Sequence, residues 1–193
     1  VIAYQGGVQL RQYGANIFIA DLVGLSMVRE LAPLLTAIII AGRTGSAFTA
    51  QIGTMKVTEE IDALRSIGIA PMELIAVPRV LALMIVLPLL TVFADAMGLF
   101  GGMLIGSSVL GLSPTSFLER VAEAVSLPSY LIGVGKAPVF AAIVATVGCF
   151  HGFQVSGSAE SVGQRTTISV VQAIFLVIVV DAAFSVLFSE LGL

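Results

Sequence analysis

Four apolar stretches of this sequence are each long enough to cross a lipid bilayer, for which a helix needs about 20 mainly apolar residues. They predict an all-α membrane protein with four full transmembrane segments, at about residues 17–52, 74–110, 130–153 and 168–188. The first stretch exceeds a single perpendicular crossing, so we expect part of it to tilt or to project beyond the bilayer. Pro33 in the first stretch allows a kink, because proline lacks a backbone donor.

The composition agrees with a membrane protein and excludes several soluble classes. Only 11% of the 193 residues are charged, whereas soluble domains carry about 25%, and the length corresponds to one domain. Basic residues are too sparse for nucleic-acid binding. The single cysteine, Cys149, cannot form an intrachain disulfide and is expected to be a core residue. His151 beside it completes neither a zinc site nor a catalytic pair.

The most polar stretch lies between the first two apolar segments. Thr58 is expected to cap a short helix whose first turn carries Glu59 and Glu60, where acidic groups suit the helix dipole. Arg65 suits the last turn, and Gly68 can end the helix in the left-handed conformation. This pattern predicts an amphipathic helix outside the bilayer, which either lies on the membrane surface or docks on a soluble partner. Its apolar side chains recur at helical spacing: Ile61, Leu64 and Ile67.

The distribution of basic residues orients this helix. Loops on its side of the membrane carry four Lys or Arg residues against two in the opposite loops, which places the amphipathic helix in the cytoplasm. One of the opposite loops is expected to form a short helix at residues 117–124.

In the second apolar segment Gly98, Gly102 and Gly106 repeat every four residues, so another helix can approach them closely. That helix belongs either to the same domain or to a second copy of the chain.

Several charged residues lie in or beside the apolar segments, where a lone charge costs about 2.5–3.5 kcal/mol. They either form a functional site or pin two helices together. We expect Arg43 and Lys136 each to be compensated by an acidic side chain, by carbonyls, by a lipid phosphate or by water. Arg29 and Glu30 are expected on different helix faces, since consecutive residues project about 100° apart.

The sequence carries no motif for catalysis. It has no Walker-type glycine loop for ATP, no His/Glu metal motif and no nucleophile elbow. Helix-start electrostatics explain the acidic residues of the polar stretch. We therefore expect a protein that is not an enzyme, with no catalytic residue, no metal and no cofactor.

Three linked motifs stand out in the first third of the chain. They are Arg29-Glu30-Leu31-Ala32-Pro33, Ala41-Gly42-Arg43-Thr44-Gly45-Ser46-Ala47 and Gly53-Thr54-Met55-Lys56-Val57-Thr58-Glu59-Glu60-Ile61-Asp62-Ala63-Leu64. Together with Pro78-Arg79 and Arg165-Thr166-Thr167, they closely resemble the MlaE (YrbE) family. Its members are permease subunits of ABC systems that move phospholipids between the membranes of Gram-negative bacteria and plastids. The resemblance covers the whole chain.

The resemblance implies a multi-pass permease of the bacterial inner membrane that helps to maintain outer-membrane lipid asymmetry. It implies a homodimer with two copies of a cytosolic ABC ATPase below it and a ring of periplasmic MCE-domain (MlaD-like) subunits above it. Phospholipid would occupy a pocket between the two permeases. On the family pattern, residues at or near that pocket are Leu10, Tyr13, Glu30 and Leu31. The amphipathic helix resembles the family's coupling helix, whose residues here are Glu59, Glu60, Ile61, Asp62, Leu64 and Arg65.

The chain also departs from the family pattern. Residues 1–193 are expected to form one MlaE-type permease domain that lacks the N-terminal interfacial helix and most of the first transmembrane helix. We thus expect this chain to be part of a longer permease, and some members of the family also carry an N-terminal STAS domain.

The rival interpretation is a membrane scaffold or channel-like protein that moves no lipid. A channel would be favoured by a polar stripe or charged ring, but the intramembrane charges are few: Glu30, Arg43, Asp95, Lys136 and Asp181.

Overall fold

The computed structural model describes residues 2–12 and 18–191, and within them the backbone is helical apart from short connections, with no strand. Four helical segments are long and apolar enough to cross a membrane: Phe18–Val57, Met72–Val109, Leu127–Phe153 and Ala159–Glu190. The predicted all-α membrane fold with four spanning segments is confirmed. The segments extend beyond the apolar stretches because polar residues at their ends continue the helices.

The first span combines α-helical and π-helical turns. The turn Met27–Leu31 comes just before Pro33, and the Ala32 amide donates to the carbonyl of Met27. Proline cannot donate to the carbonyl four residues earlier, and a π-helical turn is one way in which a helix accommodates such a gap. The elements in chain order are α1 (Ile2–Gln12), α2 (Phe18–Ser26), π1 (Met27–Leu31), α3 (Ala32–Ile40), π2 (Ala41–Gly45), α4 (Ser46–Val57), α5 (Glu60–Ser66), π3 (Met72–Ala76), α6 (Val77–Leu110), α7 (Pro114–Ala124), α8 (Leu127–Phe153) and α9 (Ala159–Glu190).

The chain divides into two units. The first unit comprises Val1–Pro33 and Leu89–Gly135, and the second comprises Leu34–Pro88 and Lys136–Gly192. Two of the boundaries fall at prolines that lie inside helices. Each unit has its own apolar core.

In the first unit, side chains of α1, α2 and α7 form the core around the glycine-rich face of α6. A side-chain carbon added at Gly98 would meet Met27, and one at Gly102 would lie 2.7 Å from Val23 Cγ1. The glycine face therefore packs against helices of the same chain. This is one of the two arrangements predicted from the sequence, the other being contact with a second copy of the chain. The buried core residues are Ala3, Ile19, Ala20, Val23, Phe117 and Val121.

The expected short helix of the opposite loop is confirmed as α7, which begins at Pro114. Its Arg120 Nη2 donates to Asp21 Oδ2 at 2.9 Å, and its Nη1 donates to Glu123 Oε2 at 3.3 Å. The hydrogen bond and negative charge of Asp21 raise the pKa of Arg120 above its ordinary value. This ion pair fastens α7 to α2.

In the second unit, α4, α8 and α9 approach closely at small residues. The Thr49 hydroxyl lies 2.9 Å from the Gly148 carbonyl oxygen and 2.9 Å from the Ser169 hydroxyl. All three helices thus meet at one buried polar point. Small residues and hydroxyl groups of this kind allow membrane helices to pack where lipid offers no hydrophobic driving force.

The connection from α4 to α5 differs from its predicted form. Thr58 ends α4 instead of capping α5, and its hydroxyl donates to Glu60 Oε1 at 2.8 Å. Glu59 takes the N-cap position in the left-handed conformation, with φ of 63°. The Thr58 prediction was wrong because the chain reverses within a single left-handed residue, which leaves no extended cap residue. Gly68, at φ of 82°, closes the helix as expected.

Candidate functional site

The arginine–glutamate pair of the first motif lies in π1. Arg29 Nε is 3.7 Å from Glu30 Oε1, and the two side chains are 22% and 34% exposed. The ends of the two side chains meet although consecutive residues project about 100° apart, because both side chains are long enough to bridge that angle, and the expectation of separate faces stays a prediction. The carboxylate of Glu30 therefore has the Arg29 guanidinium group close to it.

Two other predicted lipid-contact residues are described by the structure: Leu31, which follows Glu30 in the chain, and Leu10, which lies in α1. Leu31 is partly exposed, and Leu10 packs at the edge of the first unit's core. Tyr13 lies outside the described residues. The first unit brings Leu10, Glu30 and Leu31 into one body, but their common role as a pocket wall stays a prediction.

The predicted coupling residues belong to the short helix α5 and its N-cap, and two apolar side chains of the helix pack against the second unit. Ile61 is 1% exposed and belongs to a buried cluster with Ile52 and Ile75. Leu64 packs against the same cluster. The expectation that Ile67 shares this face was wrong, because α5 ends at Ser66 and Ile67 is 69% exposed.

The polar side chains of α5 point outwards. Glu59, Glu60, Asp62 and Arg65 are all exposed. Arg65 Nη1 lies 3.1 Å from Asp62 Oδ1, an i,i+3 pair on the helix surface. Such exposed pairs contribute little to stability, so these side chains are available for contact with another protein.

The two intramembrane cations have different surroundings. Lys136 Nζ lies 3.2 Å from Asp181 Oδ1, and their side chains are 0% and 12% exposed. An acidic partner is one of the kinds of compensation expected for Lys136. Arg43 is exposed in π2, and within the described residues no oxygen pairs with its guanidinium. Compensation of Arg43 by a lipid phosphate or water stays a prediction.

Cys149 and His151 are both buried, at 3% and 4% exposure. Cys149 is buried in an apolar cluster, as expected. His151 Nε2 lies 2.6 Å from Gln172 Oε1, which links α8 to α9. No group of three His, Cys, Asp or Glu side chains in the described residues could hold a metal ion.

A cavity of about 360 Å³ in the first unit was not foreseen from the sequence. Asp95 lines it together with Val28 and residues of α6, α7 and α8, whereas Leu10, Glu30 and Leu31 do not. Asp95 is 3% exposed, and both of its carboxylate oxygens are buried with no hydrogen-bond partner in the described residues. The sequence signal was an acidic residue inside an apolar segment, but the cavity beside it depends on how three helices pack.

Comparison with known proteins places the chain in a family. The family described as Permease MlaE matches residues 1–187. A Synechocystis protein named "Probable ABC transporter permease protein" is 42% identical over 167 residues, which are 86% of this chain and 64% of that protein. The chain therefore spans slightly less than two thirds of this relative's length.

Two further relatives have more specific names. The "Intermembrane phospholipid transport system permease protein MlaE" of Haemophilus influenzae is 38% identical over 94% of this chain and 70% of its own length. The Arabidopsis thaliana protein "TRIGALACTOSYLDIACYLGLYCEROL 1, chloroplastic" is 33% identical over 94% of this chain and 52% of its own length. With a family match across nearly all of its residues and relatives above 30% identity, this chain belongs to the MlaE permease family.

Proposed function

We propose that this chain is the membrane-spanning permease subunit of an ABC transporter that moves phospholipids between the inner and outer membranes of a bacterium. The observation that carries the proposal is the similarity to the Haemophilus influenzae protein, whose name describes a permease of an intermembrane phospholipid transport system. Four apolar helical segments support a multi-pass membrane subunit. The inner membrane is its proposed location.

The proposed partners are argued from the missing ATP-binding motif and from the exposed side of α5. Its sequence contains no Walker-type loop, so ATP hydrolysis is assigned to a cytosolic ABC ATPase. A second copy of the chain would complete the lipid pocket, and a periplasmic MCE-domain protein would receive or deliver the lipid. Phospholipid would move because ATP binding changes the relative stability of two permease states that bind lipid with different affinity.

The exposed side of α5 is the proposed contact with the ATPase. Ile61 of α5 lies in the buried cluster of the second unit together with Ile52 of α4 and Cys149 of α8. Lys56 Nζ of α4 donates to the Phe153 carbonyl of α8 at 2.7 Å, which joins those two helices. Helix α5 is therefore attached firmly to α4 and α8 while its acidic face projects. A push on that face would be transmitted to the membrane helices instead of being absorbed by a loose loop.

Reversing two charges on α5 tests this contact. We expect Glu60→Lys with Asp62→Lys in the full-length protein to abolish most ATPase co-purification and lipid-stimulated ATP hydrolysis, because both side chains are exposed on the proposed contact face. The protein should still insert into the membrane, since neither carboxylate is buried. The measurement is the amount of ATPase retained on the purified permease, together with its hydrolysis rate.

The matched control reverses two exposed glutamates of α7, Glu119→Lys with Glu123→Lys. Glu123 also pairs with an arginine three residues away, as Asp62 does. The control should retain the ATPase. Unchanged ATPase binding and hydrolysis in the α5 variant would show that α5 is an ordinary surface helix.

Photo-crosslinking from position 30 tests the lipid pocket itself. With a photoreactive residue in place of Glu30 in the full-length complex, we expect capture of labelled phospholipid. The capture should be lost when the ATPase is trapped with ATP, because the pocket is proposed to change shape between the two states. Position 39 is the control, since Ile39 is 65% exposed on the same span and should contact bulk lipid in both states. Crosslinks from position 30 only to protein would contradict the pocket.

A further inference from the structure

We propose that Asp95 is the anchor of a headgroup site that binds the ammonium group of an aminophospholipid. The inference rests on the proposed function for its lipid class and adds to it a preference among headgroups. It is carried by the cavity in the first unit and by the state of the carboxylate within it.

The cavity is almost entirely apolar apart from Asp95. Of its lining residues, only Asp95 and Tyr130 have polar side chains, and no lysine or arginine is among them. The remaining lining residues are Val28, Leu99, Val121, Ala122, Val125 and Leu127. A volume of about 360 Å³ lies within the range of small-molecule sites and is large enough for a headgroup amine with its methylene groups.

The carboxylate of Asp95 has no hydrogen-bond partner in the part of the chain that the structure describes. Both oxygens are buried, and neither receives a hydrogen bond from the described residues. Burying an isolated carboxylate is costly, so such a group takes up either a proton or a cation. A ligand that brings its own positive charge into the cavity would remove this cost.

The lining favours an organic ammonium group over a metal ion. Calcium needs six to eight oxygen ligands, and magnesium needs six in octahedral geometry, whereas this cavity offers one carboxylate and one phenol. An ammonium group needs few acceptors and tolerates apolar neighbours along its methylene chain. The Tyr130 ring also suits a cation, since aromatic faces attract ammonium groups within about 6 Å.

The position of the cavity favours a lipid headgroup as the source of this ammonium. Val121 and Ala122 of α7 line it, and α7 is an amphipathic helix outside the spanning segments. An amphipathic helix is favoured in the headgroup layer of a bilayer, so the side of the cavity that α7 lines is the side where a headgroup would enter.

Lipid retention in mixed bilayers tests the site. The full-length permease with its ATPase would be placed in nanodiscs of phosphatidylethanolamine and phosphatidylglycerol in equal amounts, with identical acyl chains. Native mass spectrometry would then measure the ratio of the two retained lipids. We expect enrichment of phosphatidylethanolamine by the wild type and about a tenfold fall in that ratio for Asp95→Asn, as expected for the loss of a charge-assisted hydrogen bond. Asp95→Glu, which keeps the charge, should retain most of the enrichment.

Three results separate the alternatives. An equal lipid ratio for the wild type and Asp95→Asn would overturn the proposal and identify Asp95 as a neutral buried carboxyl group. Retention of free ethanolamine by the wild type in phosphatidylglycerol nanodiscs, without enrichment of phosphatidylethanolamine in the mixed nanodiscs, would overturn the assignment to a lipid and point to a soluble amine. If lipid transport is absent from every variant while Asp95→Asn still loses enrichment, the headgroup site stands and the proposed transport function fails.

Discussion

Replacing Lys136 with methionine is expected to destabilise the protein by about 3–5 kcal/mol, the typical cost of removing one partner from a buried ion pair. The ammonium group of Lys136 has no exposed surface and lies 3.2 Å from Asp181 Oδ1. Methionine fills much of the same volume but leaves the Asp181 carboxylate without this cation. The free energy of unfolding, measured by helix loss during denaturant titration in detergent micelles, would report the effect.

The double replacement Lys136→Met with Asp181→Leu is the control. It removes both charges of this ion pair, and apolar substitution of both members of a buried ion pair is often neutral or stabilising. We therefore expect the double variant to recover most of the stability lost by the single variant. A Lys136→Met protein as stable as the wild type would show that the pair contributes little to folding.

Gly148→Ala is expected to destabilise the protein by about 1–3 kcal/mol, the usual cost of overpacking a closely packed site. A side-chain carbon at this position would lie 2.8 Å from the Gly45 carbonyl oxygen. That neighbour is backbone, so it cannot rotate away, and the two helices would have to separate. Separation would also disturb the contact between the Thr49 hydroxyl and the Gly148 carbonyl.

Gly135→Ala in the same helix is the matched control. An added carbon at Gly135 meets no atom within 4 Å, and alanine is favoured over glycine in a helix by roughly 0.5–1 kcal/mol. We expect this variant to be as stable as the wild type or slightly more stable. Equal effects of the two substitutions would mean that the close approach at Gly148 does not matter for stability. Both variants would be compared by the same denaturant titration.

Local sequence patterns were sufficient for the helical framework. The length of each apolar stretch predicted all four spanning segments, since crossing a bilayer as a helix requires only a long apolar run. The acidic first turn of α5 and the left-handed Gly68 followed from the helix dipole and from glycine's lack of a side chain. The spacing of Gly98, Gly102 and Gly106 predicted a close helix contact, although the sequence left open which helix makes it.

The errors at the edges of α5 have a local geometric cause. Glu59 occupies a left-handed backbone position that residues other than glycine seldom adopt. This position moved the helix start from the residue after Thr58 to Glu60. At the other end the left-handed Gly68 follows closely on Ser66, the last residue of α5, and Ile67 lies beyond the helix. Each helix end is thus set by one or two residues with unusual backbone angles.

The amino-acid sequence by itself determined that this chain spans a membrane with four helical segments and identified which residues bring charge into them. The tertiary structure decided what those charges meet. Lys136 and Asp181 are 45 residues apart in the chain, and Thr49 and Ser169 are 120 apart, so only the packing of separate helices brings them together. The sequence around Asp95 does not reveal its cavity either, because most of the residues that line that space come from other segments of the chain. The apolar length that predicts a membrane span is a property of one segment. Side-chain pairs and cavities form between several helices, so they depend on how each helix is rotated about its axis and on which helices are its neighbours.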